Sequence, residues 1–279
     1  MHYMFQTFLS PAKLNLGLKI VGKRSDGYHF LKSIFCLIDL YDRIDIQITD
    51  NGKISLVEHQ QAWFYQKDLA YRAAKLLQEY AFCRMGANIR IKKVIPSGAG
   101  MGGGSSNAAT VLLALNELWQ LNLSTKELLT LGLKLGADVP FFILGKNSLV
   151  GGIGEVLEPI SLPEIYFVII KPDFHVPTRE VFSNLAADFS FSIAEKISLE
   201  ELISKKENDL TPAVKKIFPQ INTIFSELEQ YGNPIMTGSG SAIYLAFDDK
   251  NSAKRVANIL SPGYNTFLAA SLTESPVAR

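Results

Sequence analysis

A glycine-rich stretch near residue 100 has the clearest potential for chemistry in this sequence. The segment PSGAGMGGGSSN, residues 96–107, holds five glycines in the seven positions from Gly98 to Gly104. Glycine loses more backbone entropy on folding than other residues, so a cluster of this kind needs a reason. Backbone N–H groups in a glycine turn, followed by a helix N-terminus, bind anions. The stretch predicts a phosphate-binding loop, with a tight turn or close backbone packing as the alternative.

Two known kinds of phosphate loop do not fit this stretch. Gly98, Gly100 and Gly103 match the dinucleotide-binding pattern G-x-G-x-x-G, but the segment after the next helix, TKELLTLGLKLG, indicates another helix. A dinucleotide-binding fold needs a parallel strand there, which disfavours an oxidoreductase. A Walker A loop needs a lysine before the serine, and Gly104 is followed directly by Ser105. A phosphate-binding lysine must therefore come from elsewhere or be absent.

Two charged residues could support acid–base chemistry. Lys13 lies two residues before Asn15 in the alternating segment KLNLGLKIV, so the two side chains project the same way. Its alternative is a solvated lysine on a half-buried strand. Asp138 lies in LGADVPFFIL, where it could accept a proton from a hydroxyl or act as the N-cap of a helix that has Pro140 in its first turn. Local sequence leaves both alternatives open.

Two further segments are candidates for ligand contacts. In MTGSGSAIYLAF, Gly238, Ser239 and Gly240 precede a strand, and a plain turn or bulge is an equal alternative. In KRSDGYHFL, Tyr28 and His29 follow a turn at the start of a strand. Such a pair often serves packing, but an exposed aromatic ring beside an imidazole can also stack on and recognise a base.

The elements that must position these residues follow an α+β order in the first half. Besides KLNLGLKIV, the segments FLKSIFCLI, RIDIQI, GKISLV and ANIRIKKVI are predicted strands. A helix is predicted from Asp68, another follows the glycine stretch, and Ser124 with Glu127 forms a capping box for a third. Strands precede helices here and do not alternate strictly with them.

The second half begins after a segment rich in glycine and proline, GGIGEVLEPISLP. IYFVIIKP, AIYLAF and NTFLAA are predicted strands, and helical patterns occur near 179–185, 198–206, 218–231 and 250–260. We therefore expect two domains, residues 1–155 and 156–279.

Composition excludes several classes of function. The 279 residues carry a net charge of +1, which gives no sign of a nucleic-acid or acidic-membrane surface. Two cysteines, Cys36 and Cys83, are too few for a disulfide framework and fit a reducing compartment. We find no signal peptide and no apolar run long enough to cross a bilayer, so we expect a cytoplasmic protein with no obligate protein partner.

Three motifs together resemble the GHMP kinases, small-molecule kinases without a Walker A loop. SPAKLNLGL, PSGAGMGGGSSNAA and MTGSGSAIYLAF occur in that order over about 10–247. The resemblance implies a two-domain α+β fold with the active site in the cleft between the domains, and ATP and Mg²⁺ as cofactors. The segments SPAKLNLGLKIVGKRSDGYHFLKSIF and GADVPFF further resemble members that phosphorylate the 2-hydroxyl of a cytidine diphosphate-linked methylerythritol, in the non-mevalonate route to isoprenoid precursors.

The resemblance also implies site residues. Lys13 and Asp138 correspond to a catalytic pair, and Asn15 to a polar residue on the substrate side. Tyr28 and His29 correspond to a cytosine-recognising pair, and HVPTREVF adds Thr178 and Phe182 to the substrate site. The ATP phosphate loop corresponds to Pro96, Ser97, Gly98, Ala99, Gly100, Met101, Gly102, Gly103, Gly104, Ser105 and Ser106.

Some assignments stay open within the resemblance. No metal ligand is assigned, although Ser105 or Ser106 could assist Mg²⁺. Met101 stands where leucine is usual, and Phe30 stands where a polar residue is common. The alternatives are a GHMP kinase for a non-nucleotide alcohol, against which the base-reading Tyr28 and His29 argue, and a non-catalytic relative, against which Lys13 and Asp138 argue.

Overall fold

A computed structural model of the protein describes residues 4–57, 65–185 and 197–277. The strands are β1 (Gln6–Lys23), β2 (His29–Thr49), β3 (Ile54–Leu56), β4 (Gly86–Lys92), β5 (Ser148–Gly151), β6 (Val156–Pro159), β7 (Tyr166–Lys171), β8 (Ile235–Met236), β9 (Ile243–Phe247) and β10 (Asn265–Ala270). The helices are α1 (Leu69–Tyr80), α2 (Gly103–Leu118), α3 (Thr125–Leu135), α4 (Val139–Leu144), α5 (Thr178–Ser183), α6 (Leu199–Lys205), α7 (Thr211–Ile217), α8 (Ile221–Glu229) and α9 (Lys250–Leu260).

The long antiparallel pair of β1 and β2 organises the first half. β1 pairs with β2 from Gln6 opposite Ile46 to Lys23 opposite His29. The other edge of β2 pairs with β5 near residue 34 and with β4 from residue 43 onward. The resulting sheet has the order β3-β4-β2-β5-β6, with β1 added to β2. Helices α1 to α4 pack against one face of this sheet and share an apolar core with it.

The second half contains a four-stranded antiparallel sheet in the order β10-β7-β9-β8. One face packs against helices that include α7, α8 and α9. The other face packs on β1, where Leu14 and Leu16 meet Phe167 and Tyr244 in a shared core. The two halves therefore enclose β1 between them.

Two predictions about strands are wrong. β1 is not half-buried, because the polar face with Lys13 and Asn15 is covered as well as the apolar one. FLKSIFCLI and RIDIQI are one strand, β2. Its pairing with β1 shifts register between Pro11 and Ala12, and this shift accommodates the extra residues of β2 that lie between the two segments. The helix α7 was not predicted; it is a short helix with Pro212 in its first turn.

Several local predictions are confirmed. The helix expected from Asp68 is α1, and Ser124 forms the predicted capping box with Glu127. Asp68 also caps α1 by accepting a hydrogen bond from the Ala70 backbone N–H. The expected helices near 179–185, 198–206, 218–231 and 250–260 correspond to α5, α6, α8 and α9. Strand β6 begins after residue 155 yet pairs with β5 in the first sheet. The division between residues 155 and 156 stays a proposal.

Candidate active site

The glycine stretch forms the turn between β4 and the first turn of α2. Gly102 has φ of +71° at the N-cap position of α2, a left-handed conformation that favours glycine. Gly100 has φ of +79°, and a Cβ there would lie 2.1 Å from the carbonyl oxygen of Thr237. Close packing against the second half is therefore one reason for glycine at position 100. The backbone of the stretch also faces open space on both sides.

Two cavities meet at this loop. The first has a volume of about 1280 Å³ and the second about 970 Å³. Gly98, Gly100 and Gly102 line both cavities, so the loop is their common wall. A group bound by the loop could be reached from either cavity.

The first cavity is rich in basic side chains. Its lining includes Arg43, Lys67, Arg90, Lys92 and Lys93, with Asp45 and Asp68 as the acidic residues. Its loop side consists of Pro96, Ser97, Gly98, Ala99, Gly100, Met101, Gly102, Gly103, Gly104 and Ser105. Basic groups, backbone N–H groups and a helix N-terminus together make an anion site.

Lys93 lies beside the start of α2 in this cavity. A Cβ on Gly103 would lie 3.2 Å from its Nζ. The ammonium pairs with the fully buried carboxylate of Asp42, which also accepts hydrogen bonds from the N–H groups of Val94 (2.7 Å) and Ile95 (2.9 Å). Asp42 therefore fixes both this lysine and the chain that enters the loop.

Lys13 is buried in the wall of the second cavity. The residue is 3% exposed, and its Nζ lies 2.6 Å from Oδ1 of Asn15 and 3.7 Å from Oδ2 of Asp138. The ring of Phe35 lies 4.4 Å below the ammonium. Burial lowers the pKa of Lys13, and the opposing attraction of Asp138 does not offset it. The polar face of β1 does not reach bulk water, so the alternative of a solvated lysine is wrong.

Asp138 occupies the N-cap position of α4 but does not cap it. Its backbone is helical, with φ of −83° and ψ of −13°, and its side chain makes no capping hydrogen bond. The carboxylate instead faces Lys13, and its side chain is 32% exposed on the cavity surface. It can therefore be reached by a bound hydroxyl while it remains paired with an ammonium.

Asn15 is held entirely by protein groups. Its Oδ1 accepts from Lys13 Nζ and from the hydroxyl of Thr237 (3.3 Å), and its Nδ2 donates to Oγ of Ser33 (2.9 Å). Its backbone N–H donates to the Thr237 hydroxyl at 3.0 Å, and its carbonyl accepts from the Tyr244 hydroxyl at 2.9 Å. This side chain lines the cavity, yet its amide already has partners on both sides.

The outer end of the second cavity is aromatic. Tyr28 is 61% exposed, and the rings of His29 and Phe182 stack with centroids 5.2 Å apart and an angle of 22°. Burial and the nearby Lys23 lower the pKa of His29, which favours a neutral imidazole. Thr178 forms a hydroxyl–hydroxyl hydrogen bond of 2.7 Å with Ser239 at the same end. All four predicted residues line this cavity.

Ser106 is separated from the other loop residues. Its side chain is fully buried and its hydroxyl donates to the carbonyl of Pro11 at 2.5 Å, with Oγ of Ser10 2.7 Å away. It does not line either cavity, whereas Ser105 lines the first. The structure thus brings together the predicted residues except Ser106, whose side chain points into the protein.

Sequence reasoning missed Asp42, Lys93 and Thr237. The pair Lys92-Lys93 directly before the loop was a usable signal for the lysine. Asp42 and Thr237 are brought to the loop only by the tertiary fold, from 53 and 137 residues away along the chain from Ile95 and Gly100. Thr237 lies within the third motif, but nothing local singles it out there, and no local pattern indicates Asp42.

Divalent metal binding has few protein donors in this region. Among the described residues, no cluster of three His, Cys, Asp or Glu side chains could hold a metal ion. The carboxylate of Asp138 and the hydroxyl of Ser105 are oxygen donors beside the loop. This sparse set fits Mg²⁺ held mainly by substrate phosphates and water, which is how this ion is often bound. None of the described helices is long and apolar enough to cross a membrane.

Comparison with known proteins agrees with this arrangement over the whole chain. The GHMP kinases N terminal domain matches residues 68–146, and GHMP kinases C terminal matches residues 193–265. A protein of Chromobacterium violaceum named 4-diphosphocytidyl-2-C-methyl-D-erythritol kinase is 45% identical over 279 residues, covering 99% of this chain and 98% of its own. A protein of the same name from Neisseria gonorrhoeae is 46% identical over 274 residues, covering 98% and 96%.

A solved structure of similar fold is that of a 4-(cytidine 5'-diphospho)-2C-methyl-D-erythritol kinase. It superposes with a TM-score of 0.83 at 35% identity, over 95% of this chain and 99% of that one. The similarity therefore extends across both halves and the cleft between them.

Proposed function

The chain belongs to the GHMP kinases, and from that premise we propose that it phosphorylates 4-diphosphocytidyl-2-C-methyl-D-erythritol. The γ-phosphoryl group of ATP passes to the 2-hydroxyl, giving the 2-phosphate and ADP in the non-mevalonate route to isoprenoid precursors. One observation carries the proposal: a buried Lys13 and an accessible Asp138 lie 3.7 Å apart beside a glycine loop that borders two cavities.

ATP binds in the first cavity. Backbone N–H groups of the glycine loop and the N-terminus of α2 hold its phosphates, and the basic lining offsets their charge. Lys93, anchored on Asp42 beside Gly103, supplies the cation that a Walker A lysine supplies elsewhere. Of the two serines, Ser105 faces the phosphates, whereas Ser106 supports the loop from inside.

The phosphoryl group crosses the loop toward the second cavity. Phosphoryl transfer needs little covalent help from the protein, so alignment and charge neutralisation dominate. Asp138 orients the 2-hydroxyl and accepts its proton, and Lys13 stabilises the negative charge that develops on the reacting oxygens. A tertiary hydroxyl is a hindered nucleophile, which makes positioning in line with the γ-phosphate as important as basicity.

Mg²⁺ supplies charge neutralisation on the transferred phosphoryl group when it is bound. Asp138 and Ser105 are the protein oxygens we propose near it, with the phosphates as the principal ligands.

The cytidine end of the substrate lies at the aromatic end of the second cavity. Tyr28 stacks on the cytosine ring, and His29, held against Phe182, hydrogen-bonds its edge. Thr178 and Asn15 complete the lining between the base and the reacting centre. Binding of the remote base thereby positions the hydroxyl at Asp138.

The remaining proposals concern the domain boundary and the location of the protein. We propose that the two domains meet near residue 155. We also propose that the protein is cytoplasmic, where the free thiols of Cys36 and Cys83 stay reduced. No protein partner, membrane or nucleic acid is required by the proposed reaction.

ADP release tests this function. The protein is mixed with ATP and Mg²⁺, and ADP is measured after addition of the cytidyl substrate, mevalonate, homoserine or galactose. We expect turnover with the cytidyl substrate alone. Turnover with one of the other alcohols instead would identify that alcohol as the substrate. If none of the four compounds causes ADP release, the protein is not a kinase of this class.

A further inference from the structure

Thr237 in the third sequence motif is connected to Lys13 through a single side-chain amide. Lys13 Nζ makes its shortest polar contact with Oδ1 of Asn15, at 2.6 Å, while the Asp138 carboxylate is 3.7 Å away. The orientation of the Asn15 amide therefore decides where the ammonium lies. Two hydroxyl groups hold that amide, one from each half of the chain.

The hydroxyl from the first half belongs to Ser33. It accepts from Nδ2 of Asn15 at 2.9 Å and donates to the Gly17 carbonyl at 2.5 Å. The hydroxyl from the second half belongs to Thr237, which is fully buried. It accepts the Asn15 backbone N–H at 3.0 Å and has Oδ1 of Asn15 at 3.3 Å. Ser33 and Thr237 thus fix opposite ends of the amide and specify which end carries the oxygen.

Thr237 also contacts the glycine loop. Its hydroxyl lies 3.4 Å from the Gly100 carbonyl, and its own carbonyl occupies the space that a side chain on Gly100 would need. Residues Gly238 to Gly240 follow directly and line the second cavity. Thr237, a residue of the second domain, therefore contacts both the glycine loop and the Asn15 amide that holds Lys13.

We infer that Thr237 and Ser33 are positioning residues for the proposed phosphoryl transfer, which they support by holding the Asn15 amide so that its oxygen anchors the Lys13 ammonium. This inference rests on the proposed function. It assigns Asn15 a role in orienting Lys13, and it gives the third motif an effect on the chemical step through the second domain. Neither hydroxyl touches the substrate.

The surroundings of Lys13 show why the amide matters. Among the described residues, the Asp138 carboxylate is the charged group beside the ammonium, and Phe35, Asn15 and the loop backbone at Gly102 surround it otherwise. When Oδ1 of Asn15 moves away, the ammonium loses its nearest acceptor and is no longer held beside the reacting oxygens. The chemical step should then slow while both ligands still bind.

The test uses four variants of the full chain: Thr237→Val, Thr237→Ser, Ser33→Ala and Tyr244→Phe. Valine has the shape of threonine without the hydroxyl, and serine retains it. Tyr244→Phe is the matched control, because Tyr244 bonds the carbonyl of Asn15 at 2.9 Å from the same interface but does not contact the amide. The values of kcat, both KM values and the melting temperature are measured for each.

We expect kcat to fall about tenfold or more in Thr237→Val and Ser33→Ala, the scale of a misplaced catalytic group, with KM values changed less than about threefold. Thr237→Ser should restore kcat. Tyr244→Phe should lose stability only. A normal kcat in Thr237→Val or Ser33→Ala, or a loss of kcat in Thr237→Ser as large as that in Thr237→Val, would overturn the inference. Wild-type protein without kinase activity would instead remove the proposed function itself.

Discussion

The two cavities share the glycine loop as a wall, but they are assembled in different ways. Among the described residues, the lining of the first cavity lies between Arg43 and Asn107, and it consists largely of the glycine loop and basic side chains. The second cavity draws on both halves of the chain, from Lys13 to Gly240, and its outer end is aromatic. A local segment thus forms the anion site, whereas the tertiary fold assembles the site for the acceptor.

This difference determines which substitutions each cavity can tolerate. Backbone N–H groups bind phosphate whatever the neighbouring side chains are, provided that no side chain blocks them. The second cavity depends on particular side chains that meet across the domain cleft. Substitutions should therefore separate into those that affect ATP, those that affect the cytidyl substrate, and those at the reacting centre that affect the reaction alone.

Asp138→Asn should give the largest effect and leave both cavities able to bind. The amide cannot accept the proton or pair with Lys13, so we expect turnover to fall about 10²-fold or more, the scale of a lost acid–base group. Stability should stay near that of the wild type, because the Asp138 side chain makes no capping hydrogen bond. ADP release measures the chemistry, and thermal melting and titration with each ligand measure the fold and binding. A variant with most of its turnover would show that another group accepts the proton.

Tyr28→Ala should affect the second cavity alone. Loss of stacking on the base should weaken binding of the cytidyl substrate by about 1–3 kcal/mol, the magnitude of aromatic–base contacts. Titration calorimetry with the cytidyl substrate and with ATP measures the two sites separately, and ATP affinity should hardly change. Tyr80→Ala is the control, because Tyr80 is another exposed tyrosine that lines neither cavity. Equal weakening of both ligands would indicate that Tyr28 serves packing.

Gly104→Val should affect the first cavity alone. A Cβ there would lie 3.6 Å from Leu69, an ordinary contact, so the fold accepts the side chain while its branches occupy the phosphate side. We expect KM for ATP to rise about tenfold, roughly 1.4 kcal/mol, with KM for the cytidyl substrate unchanged. Gly102→Ala is the contrast, because its Cβ would approach Phe142 to 2.8 Å and Lys13 Cγ to 3.3 Å. That variant should lose turnover as well, and a normal KM for ATP in Gly104→Val would remove α2 from phosphate binding.

Lys13→Met should give the smallest change in free energy, and unlike most substitutions it should raise the free energy of unfolding. Burial lowers the folded pKa of Lys13 below its ordinary value of 10.5, so the charged form destabilises the fold at neutral pH. This cost disappears as pH rises through the folded pKa toward the unfolded value. We expect the variant to be inactive yet more stable at pH 7 by about 1 kcal/mol, the size of an ordinary single-substitution effect, with the difference shrinking toward pH 10.

Urea unfolding of Lys13→Met and the wild type at both pH values measures this difference. Comparing the two proteins at each pH cancels the titration of the other lysines. A variant that is less stable at pH 7 would indicate that Asn15 and Asp138 more than offset the burial of the ammonium.

Much of the fold and the glycine loop beside the first cavity could be predicted from the sequence because both rest on local signals. The cap at Asp68, the capping box at Ser124 and the glycine loop each lie within a few residues of the element they specify. Lys13, Asn15 and Asp138 could be identified as candidates because they lie in sequence motifs, and the family resemblance suggested their roles. Their distances and burial could not be inferred, since they depend on contacts between β1, α4 and the loop.

The failures come from long-range packing. Alternation in β1 indicates one solvated face, but the loop and α2 cover the face that carries Lys13 and Asn15. Asp42 gains its contacts with the loop entrance only when β2 packs beside it, and Thr237, although it lies in the third motif, reaches Asn15 only when the two halves come together. Period and spacing describe one element at a time and contain no information about its neighbours.

The length of β2 has a consequence for hydrogen exchange. This single strand of 21 residues starts at His29, beside Phe182, and passes Asp42 at the loop entrance and Asp45 in the first cavity before it ends at Thr49. It is paired on both edges over much of that length. Amide protons of such a strand exchange by cooperative opening of the unit that contains it. A ligand in either cavity should therefore slow exchange along β2 well beyond its own contacts, so that the two ends of the reaction path share one opening free energy.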